Sequence, residues 1–183
     1  SIYPKFPFDE DTLISPKEDL SFDMMNLGLS YLDHGLYSEA AIQFNEALDN
    51  QTENLDFHFF RDFFPQDSIL TQNMINAFSF QLPHDSTGAS YFFLALFSKS
   101  GDDAYEHIRN YIHHRPSDLR GHLLYSELLF NNNEWFDALF QFQKALWLDS
   151  NNIDALTISI IISIRSNSCY SILIFNITIT TCI

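Results

Sequence analysis

Residues that could do chemistry are concentrated between positions 107 and 122. This stretch holds four of the seven histidines and three arginines: His107, His113, His114, His122, Arg109, Arg115 and Arg120. The adjacent His113 and His114 point about 100° apart on a helix, so they cannot hold one metal ion together. They are suited instead to the C-terminal end of a helix before Pro116, where partial negative charge accumulates.

The acidic group Asp102, Asp103 and Glu106 invites a cation-binding interpretation. Acids in the first turn of a helix also complement the helix dipole, and that role needs no ion. The sequence has no glycine-rich phosphate loop, no nucleophile elbow and no His-Glu pair at zinc spacing. We therefore expect a protein without catalytic, cofactor or metal sites.

The charge of the chain argues against a nucleic-acid partner. The net charge is −15, and residues 21–152 carry −12 of it, from six Lys or Arg against eighteen Asp or Glu. Binding to phosphates needs a basic face, which this balance does not provide. The stretch from 107 to 122 is the one place in residues 21–152 where an acidic ligand group would not be repelled.

The elements that position these residues follow from an internal repeat. Ala40, Ala104 and Ala138 each precede a large apolar residue by four positions and a further apolar residue by seven. Ala104 and Ala138 are 34 residues apart, which gives the length of one repeat. Ala40 and Ala104 are 64 residues apart, which corresponds to one repeat of 34 residues and a second repeat of only 30. A period of this length is typical of stacked helix-turn-helix repeats. With 46% hydrophobic and 16% aromatic residues, the repeats are predicted to enclose a large aromatic core.

The first repeat resembles the tetratricopeptide repeat family, whose pattern is matched by Met24, Leu27, Gly28, Tyr31, Ala40, Phe44 and Ala47. This resemblance implies an all-α solenoid of antiparallel helix pairs in a right-handed superhelix. We expect repeats near 21–54, 55–84, 85–118 and 119–152, after an extended lead-in at 1–20. The second repeat is degenerate, the third has Tyr91 and Phe92 in the Leu-Gly slots, and the fourth has Tyr125 and Ser126 there.

The resemblance also implies a concave surface, formed by the first helix of each repeat, that binds a partner. The residues expected to line it are Phe22, Met25, Leu29, Asp33, Phe93, Phe97, Arg120, Leu123, Glu127 and Phe130. A largely apolar lining suits an amphipathic helix or an apolar strip. The alternative is that another part of a longer superhelix buries these residues.

Two details refine this surface. Family members that bind chaperone C termini clamp a carboxylate with Lys and Asn, but Met25 and Leu29 occupy those positions here, which argues against a chaperone clamp. Arg120 either holds an acidic group of a partner, or pairs with Asp118 or Glu127 at the surface.

We therefore predict a non-catalytic scaffold that binds a protein or peptide partner. The alternative is an accessory or regulatory subunit, or segment, of a larger enzyme complex. The only cysteines, Cys169 and Cys182, lie in the last fifteen residues, so no disulfide or zinc framework is expected in the repeats. Residues 1–20 have no apolar core typical of a signal peptide, and together these features predict a cytoplasmic location.

The segment 153–183 differs from the repeats. Residues 155–183 contain ten Ile, five Ser and four Thr, with Arg165 as the only charge. A further, poorly packed helix is one interpretation. A membrane anchor is the least favoured one, because residues 165–168 split the tail into runs shorter than the roughly 20 apolar residues that span a bilayer. The favoured interpretation is that the tail is not native coding sequence.

Overall fold

The computed structural model describes residues 16–50, 64, 68–98, 101–153 and 155–157. The described residues form the helices α1 (Pro16–Asp33), α2 (Tyr37–Asn50), α3 (Ile69–Gln81), α4 (Ala89–Phe97), α5 (Gly101–His114), α6 (Leu119–Asn131) and α7 (Trp135–Leu148). None of these residues lies in a β-strand, which confirms the predicted all-α class. The chain divides into two compact units, one that ends at His114 and one that begins at Arg115.

Helix α1 begins five residues before the boundary expected from the repeat pattern. Its first residue is Pro16, so residues 16–20 are helical rather than extended. Proline is favoured at the first helical position because its fixed φ suits a helix and the missing N–H has no partner there. The earlier part of the expected lead-in lies outside the described residues.

Helices α1 and α2 cross closely in the first unit because small residues lie at the crossing. A Cβ added at Gly28 would lie only 2.8 Å from Cδ1 of Phe44, so the Phe44 ring rests directly on the α1 backbone. Ala40 and Ala47 are fully buried on α2. At one end of the pair, the hydroxyl of Ser21 donates to the carbonyl of Ala47 at 2.9 Å. The close contact predicted at Gly28 is confirmed.

The turns inside two of the helix pairs have the same backbone conformation and hydrogen bond. Gly35 and Asn133 have φ angles of 70° and 64°, and each lies five residues before a repeat alanine. Just after them, Leu36 N–H donates to the Tyr31 carbonyl at 3.0 Å and Glu134 N–H donates to the Leu129 carbonyl at 2.9 Å. Glycine and asparagine tolerate the left-handed backbone conformation that ends a helix in this way.

The degenerate second repeat contributes helix α3 to the aromatic core of the first unit. The α3 ring of Phe78 stacks on Phe93 of α4, with ring centroids 4.7 Å apart and planes 9° apart. At its N-terminus, the Ser68 hydroxyl accepts a hydrogen bond from the Thr71 N–H at 3.0 Å. The second helical segment predicted for residues 55–84 is thus present, whereas most of the first segment lies outside the described residues.

In the second unit, α6 and α7 form a helix pair. Ala138, Phe142 and Ala145 of α7 are buried, as their spacing predicts. His122 of α6 is also buried, and its two ring nitrogens hydrogen-bond with Oε1 of Gln141 and the carbonyl of Pro116, each at 3.0 Å. His122 therefore joins the two helices from within the unit rather than contributing to a basic surface.

The start of α4 is capped by one carboxylate. Oδ1 of Asp85 accepts hydrogen bonds from the Thr87 and Gly88 N–H groups at 3.0 and 2.9 Å, and Oδ2 accepts one from the Ser90 N–H at 2.6 Å. Burial alone would raise the pKa of Asp85, but the hydrogen bonds from Thr87 and Ser90 outweigh it, so the pKa lies below its ordinary value.

Asp85→Ala is expected to lower the free energy of unfolding by about 0.5–2 kcal/mol at neutral pH, because three backbone donors lose their acceptor. Since the folded-state pKa is depressed, this contribution is present above the unfolded pKa of about 3.9 and is lost as the pH falls through the folded pKa. Urea denaturation of both proteins at several pH values measures the difference. A difference that stays constant from neutral to strongly acidic pH would show that the charge of Asp85 plays no part.

The last described residues form a short helical segment after α7. Residues 153 and 155–157 are helical, and Ala155 is fully buried, so packed structure extends past the expected boundary at residue 152. Residues 158–183 lie outside the described residues, and the three interpretations of this tail stay untested. Within the described part of the chain, no helix combines the length and apolar character needed to cross a bilayer.

Candidate functional site

Two of the four α1 residues predicted to line a partner-binding surface are buried. Met25 is 0% exposed and Leu29 is 3% exposed, whereas Phe22 and Asp33 are half-buried. This burial differs from the expectation that Met25 and Leu29 face a partner, because both side chains are enclosed in this structure. Helix α1 carries apolar residues on two faces, and the face with Met25 and Leu29 is the enclosed one.

The two predicted α4 residues belong to the core of the first unit. Phe93 is 0% exposed and packs against Phe44, with ring centroids 6.2 Å apart, as well as against Phe78. Phe97 is 2% exposed and meets Phe64 edge-on at 5.2 Å. Their burial differs from the expectation that they line a binding surface, because α2 and α3 supply aromatic neighbours that enclose them.

The four predicted α6 residues lie on one face of that helix. Arg120, Leu123, Glu127 and Phe130 are spaced by three, four and three residues, which aligns them along a helix. Each is half-buried, so each retains accessible surface. The ring of Phe130 packs edge-on against the ring of Trp135, with the centroids 5.1 Å apart. Of the helices predicted to line the surface, α6 is the one on which every predicted residue retains accessible surface.

Arg120 pairs with Asp118, which was one of the two arrangements expected from the sequence. Its Nε and Nη2 donate to Oδ1 and Oδ2 of Asp118 at 2.9 and 2.6 Å. Asp118 also caps α6 by accepting from the Arg120 N–H at 3.0 Å, and Nη1 of Arg115 lies 4.0 Å from Oδ2 of Asp118. A two-point pair of this kind fixes the guanidinium plane, so a partner's acid would have to compete with Asp118.

The histidines and acids of α5 have local structural roles. His114 ends the helix and its Nδ1 donates to the Asn110 carbonyl at 2.9 Å, as expected for a C-terminal histidine. Asp102 and Asp103 lie in the first turn, as predicted. Burial lowers the pKa of His107, against the opposing effect of Glu106 and Asp103. Among the described residues, no group of three or more His, Cys, Asp or Glu is placed to hold a metal ion.

The sequence interpretation missed an exposed aromatic face on α7. Phe136, Phe140 and Trp147 are 72%, 54% and 95% exposed, and their spacing of four and seven residues places them on one side of the helix. Lys144 lies over the Phe140 ring, 4.7 Å from its centroid. Relative to Ala138, the three residues lie two positions before, two positions after and nine positions after. A comparison of the residue types at these positions with those around Ala40 and Ala104 is the sequence signal that could have revealed the face.

Comparison with solved structures finds TPR domains, the family that the sequence pattern resembles. One is the first TPR domain of Spaghetti (RPAP3), solved with the HSP90 peptide SRMEEVD: identity is 17% and the TM-score 0.40, over 82% of this chain and 96% of that chain. Another is the C-terminal TPR-containing domain of a Plasmodium falciparum protein assigned as an FK506-binding protein: identity is 18% and the TM-score 0.42, over 86% of this chain and 95% of that chain. No protein-family model matches the sequence, and no curated protein matches it. At this level of similarity, the surfaces of the chain are inferred from its own contacts.

Proposed function

We propose that this protein is a non-catalytic interaction scaffold that binds an amphipathic helix of a partner protein along the α6 face formed by Arg120, Leu123, Glu127 and Phe130. The observation that carries the proposal is the accessibility of this face. The corresponding side chains on α4, Phe93 and Phe97, are enclosed in the core, whereas all four α6 side chains are half-buried.

The chemistry of the α6 face favours an amphipathic helix as the occupant. Leu123 and Phe130 are seven residues apart, which is two helical turns, so apolar side chains spaced by a similar distance on a partner helix would meet both. Arg120 and Glu127 alternate with them and present opposite charges. The Arg120 guanidinium is held in place by Asp118, and pre-organised polar groups beside apolar contacts fix the register of a bound helix at a low entropic cost.

An accessory or regulatory subunit of an enzyme complex would use the same α6 face. A regulatory segment of an enzyme complex would bind its catalytic partner by such a face, and the two interpretations differ only in the identity of the partner. Identification of the protein that carries the bound helix separates them.

Selection of a displayed library of amphipathic helical peptides on the full chain tests the proposal. Peptides that bind should lose affinity by about tenfold or more for Leu123→Asp, because a charge placed at the centre of an apolar contact is left unpaired. Fluorescence polarisation of a labelled peptide measures the change, and circular dichroism establishes that the variant is folded.

Phe80→Asp is the matched control, since Phe80 is an exposed apolar residue on α3 and the same substitution there should leave peptide affinity unchanged. Failure of the library to yield any peptide that binds, or equal affinity of the peptides for wild type and Leu123→Asp, would refute the assignment to α6.

A further inference from the structure

The exposed aromatic face of α7 is a local departure from the pattern of the repeats. In the first and third repeats, five of the six corresponding positions are polar or charged: Ser38, Ile42, Asp49, Asp102, Glu106 and His113. Packing within a helix pair therefore does not require aromatic residues at these positions. An exposed apolar surface that the fold does not need indicates an interaction site.

The charges beside this face are self-complementary. Asp137 and Lys144 are seven residues apart, so they lie on the same flank of α7, about 10 Å apart along its axis. Their midpoint falls between Phe140 and Gln141, near the centre of the aromatic face. When two helices pair antiparallel about a two-fold axis, each flank meets the same flank of the other copy.

We propose that α7 is a dimer interface, on which two copies of this chain pair antiparallel through Phe136, Phe140 and Trp147. In this arrangement, Asp137 of each copy meets Lys144 of the other copy. Phe140 lies close to the two-fold axis beside its own symmetry mate, and Phe136 of one copy lies next to Trp147 of the other. The proposal is independent of peptide binding to α6.

The available area suits a reversible dimer. An aromatic side chain buries about 150–250 Å², so the exposed fractions of the three rings correspond to roughly 450 Å² of aromatic surface per copy. Two copies then bury about 900 Å² through these rings alone, and the flanking contacts of Asp137 and Lys144 bring the total close to the lower limit of about 1,200 Å² for stable specific interfaces. We expect a dissociation constant in the micromolar range.

Sedimentation equilibrium of the full chain over a range of concentrations tests the proposal. The wild-type chain should associate to a dimer, and Phe140→Asp and Trp147→Ser should each weaken association by about tenfold or more. Both side chains are exposed, so circular dichroism of each variant should match that of the wild type. Phe80→Asp, which removes an exposed ring from α3, should leave the dimer intact.

A charge exchange tests the antiparallel geometry. Asp137→Lys and Lys144→Asp should each weaken self-association, because each variant places two like charges opposite one another twice. An equimolar mixture of the two variants should dimerise as the wild type does, since every facing pair again has opposite signs.

Three results would overturn the proposal. The first is a full chain that stays monomeric. A chain that dimerises only once residues 158–183 have been removed would also count against the proposal, because it would indicate that the tail of the same chain covers the α7 face. The second is equal loss of association in Phe80→Asp, which would indicate nonspecific apolar contact. The third is a mixture of the two charge variants that associates no better than either variant alone, which would exclude this pairing.

Discussion

Phe93→Ala should lower the free energy of unfolding of this protein by about 3–5 kcal/mol, the range found when a buried phenylalanine is truncated in a core. The Phe93 ring is fully buried, stacks on Phe78 at 4.7 Å, and meets Phe92 edge-on at 5.8 Å. Removing it leaves a cavity between α2, α3 and α4 that these helices cannot close without moving their own rings. A loss of this size is a large fraction of the 5–15 kcal/mol that typically stabilises a domain.

Urea denaturation followed by far-UV circular dichroism measures the effect, with Phe80→Ala as the matched control. Phe80 is 68% exposed on α3, so the same truncation there should change stability by no more than about 0.5 kcal/mol. Similar losses in both variants would mean that Phe93 is not enclosed as described. Phe97 is buried in the same core, so Phe97→Ala should likewise lower the melting temperature.

Gly28→Leu should destabilise the first helix pair by about 1–3 kcal/mol or more, because the new side chain must displace a buried aromatic ring. A Cβ at this position would already lie 2.8 Å from Cδ1 and 3.0 Å from Cζ of Phe44. Leucine has a higher helix propensity than glycine, which offsets the clash by less than about 1 kcal/mol. The net sign is therefore set by packing, and thermal denaturation should show a lower melting temperature.

Two variants control for other causes. Ser30→Leu adds the same side chain two residues further along α1 at an exposed position, and it should be nearly neutral. Phe44→Leu combined with Gly28→Leu should destabilise by less than the sum of the single effects, because the smaller side chain relieves the overlap. Strict additivity of the two substitutions would contradict direct contact between Gly28 and Phe44.

The sequence by itself determined the helix pairs and their turns. Small residues at Gly28, Ala40 and Ala138 allow two helices to cross closely, and Gly35 supplies a backbone conformation that most residues avoid. These effects depend on the type of the residue itself and not on which distant residues surround it. The helix ends followed for the same reason, since Asp85 and Asp118 each accept backbone hydrogen bonds at the start of a helix.

Only the tertiary structure decided which apolar faces remain accessible. Helices α1, α4 and α6 all carry an apolar stripe in the sequence, but Met25 and Phe93 are enclosed whereas Leu123 is half-buried. Conversely, Phe140 and Trp147 are exposed although their residue types favour burial. Burial is a property of all the neighbours that surround a residue, and those neighbours come from helices distant in sequence. Periodicity identifies the faces of one helix, but it does not show which faces its neighbours will cover.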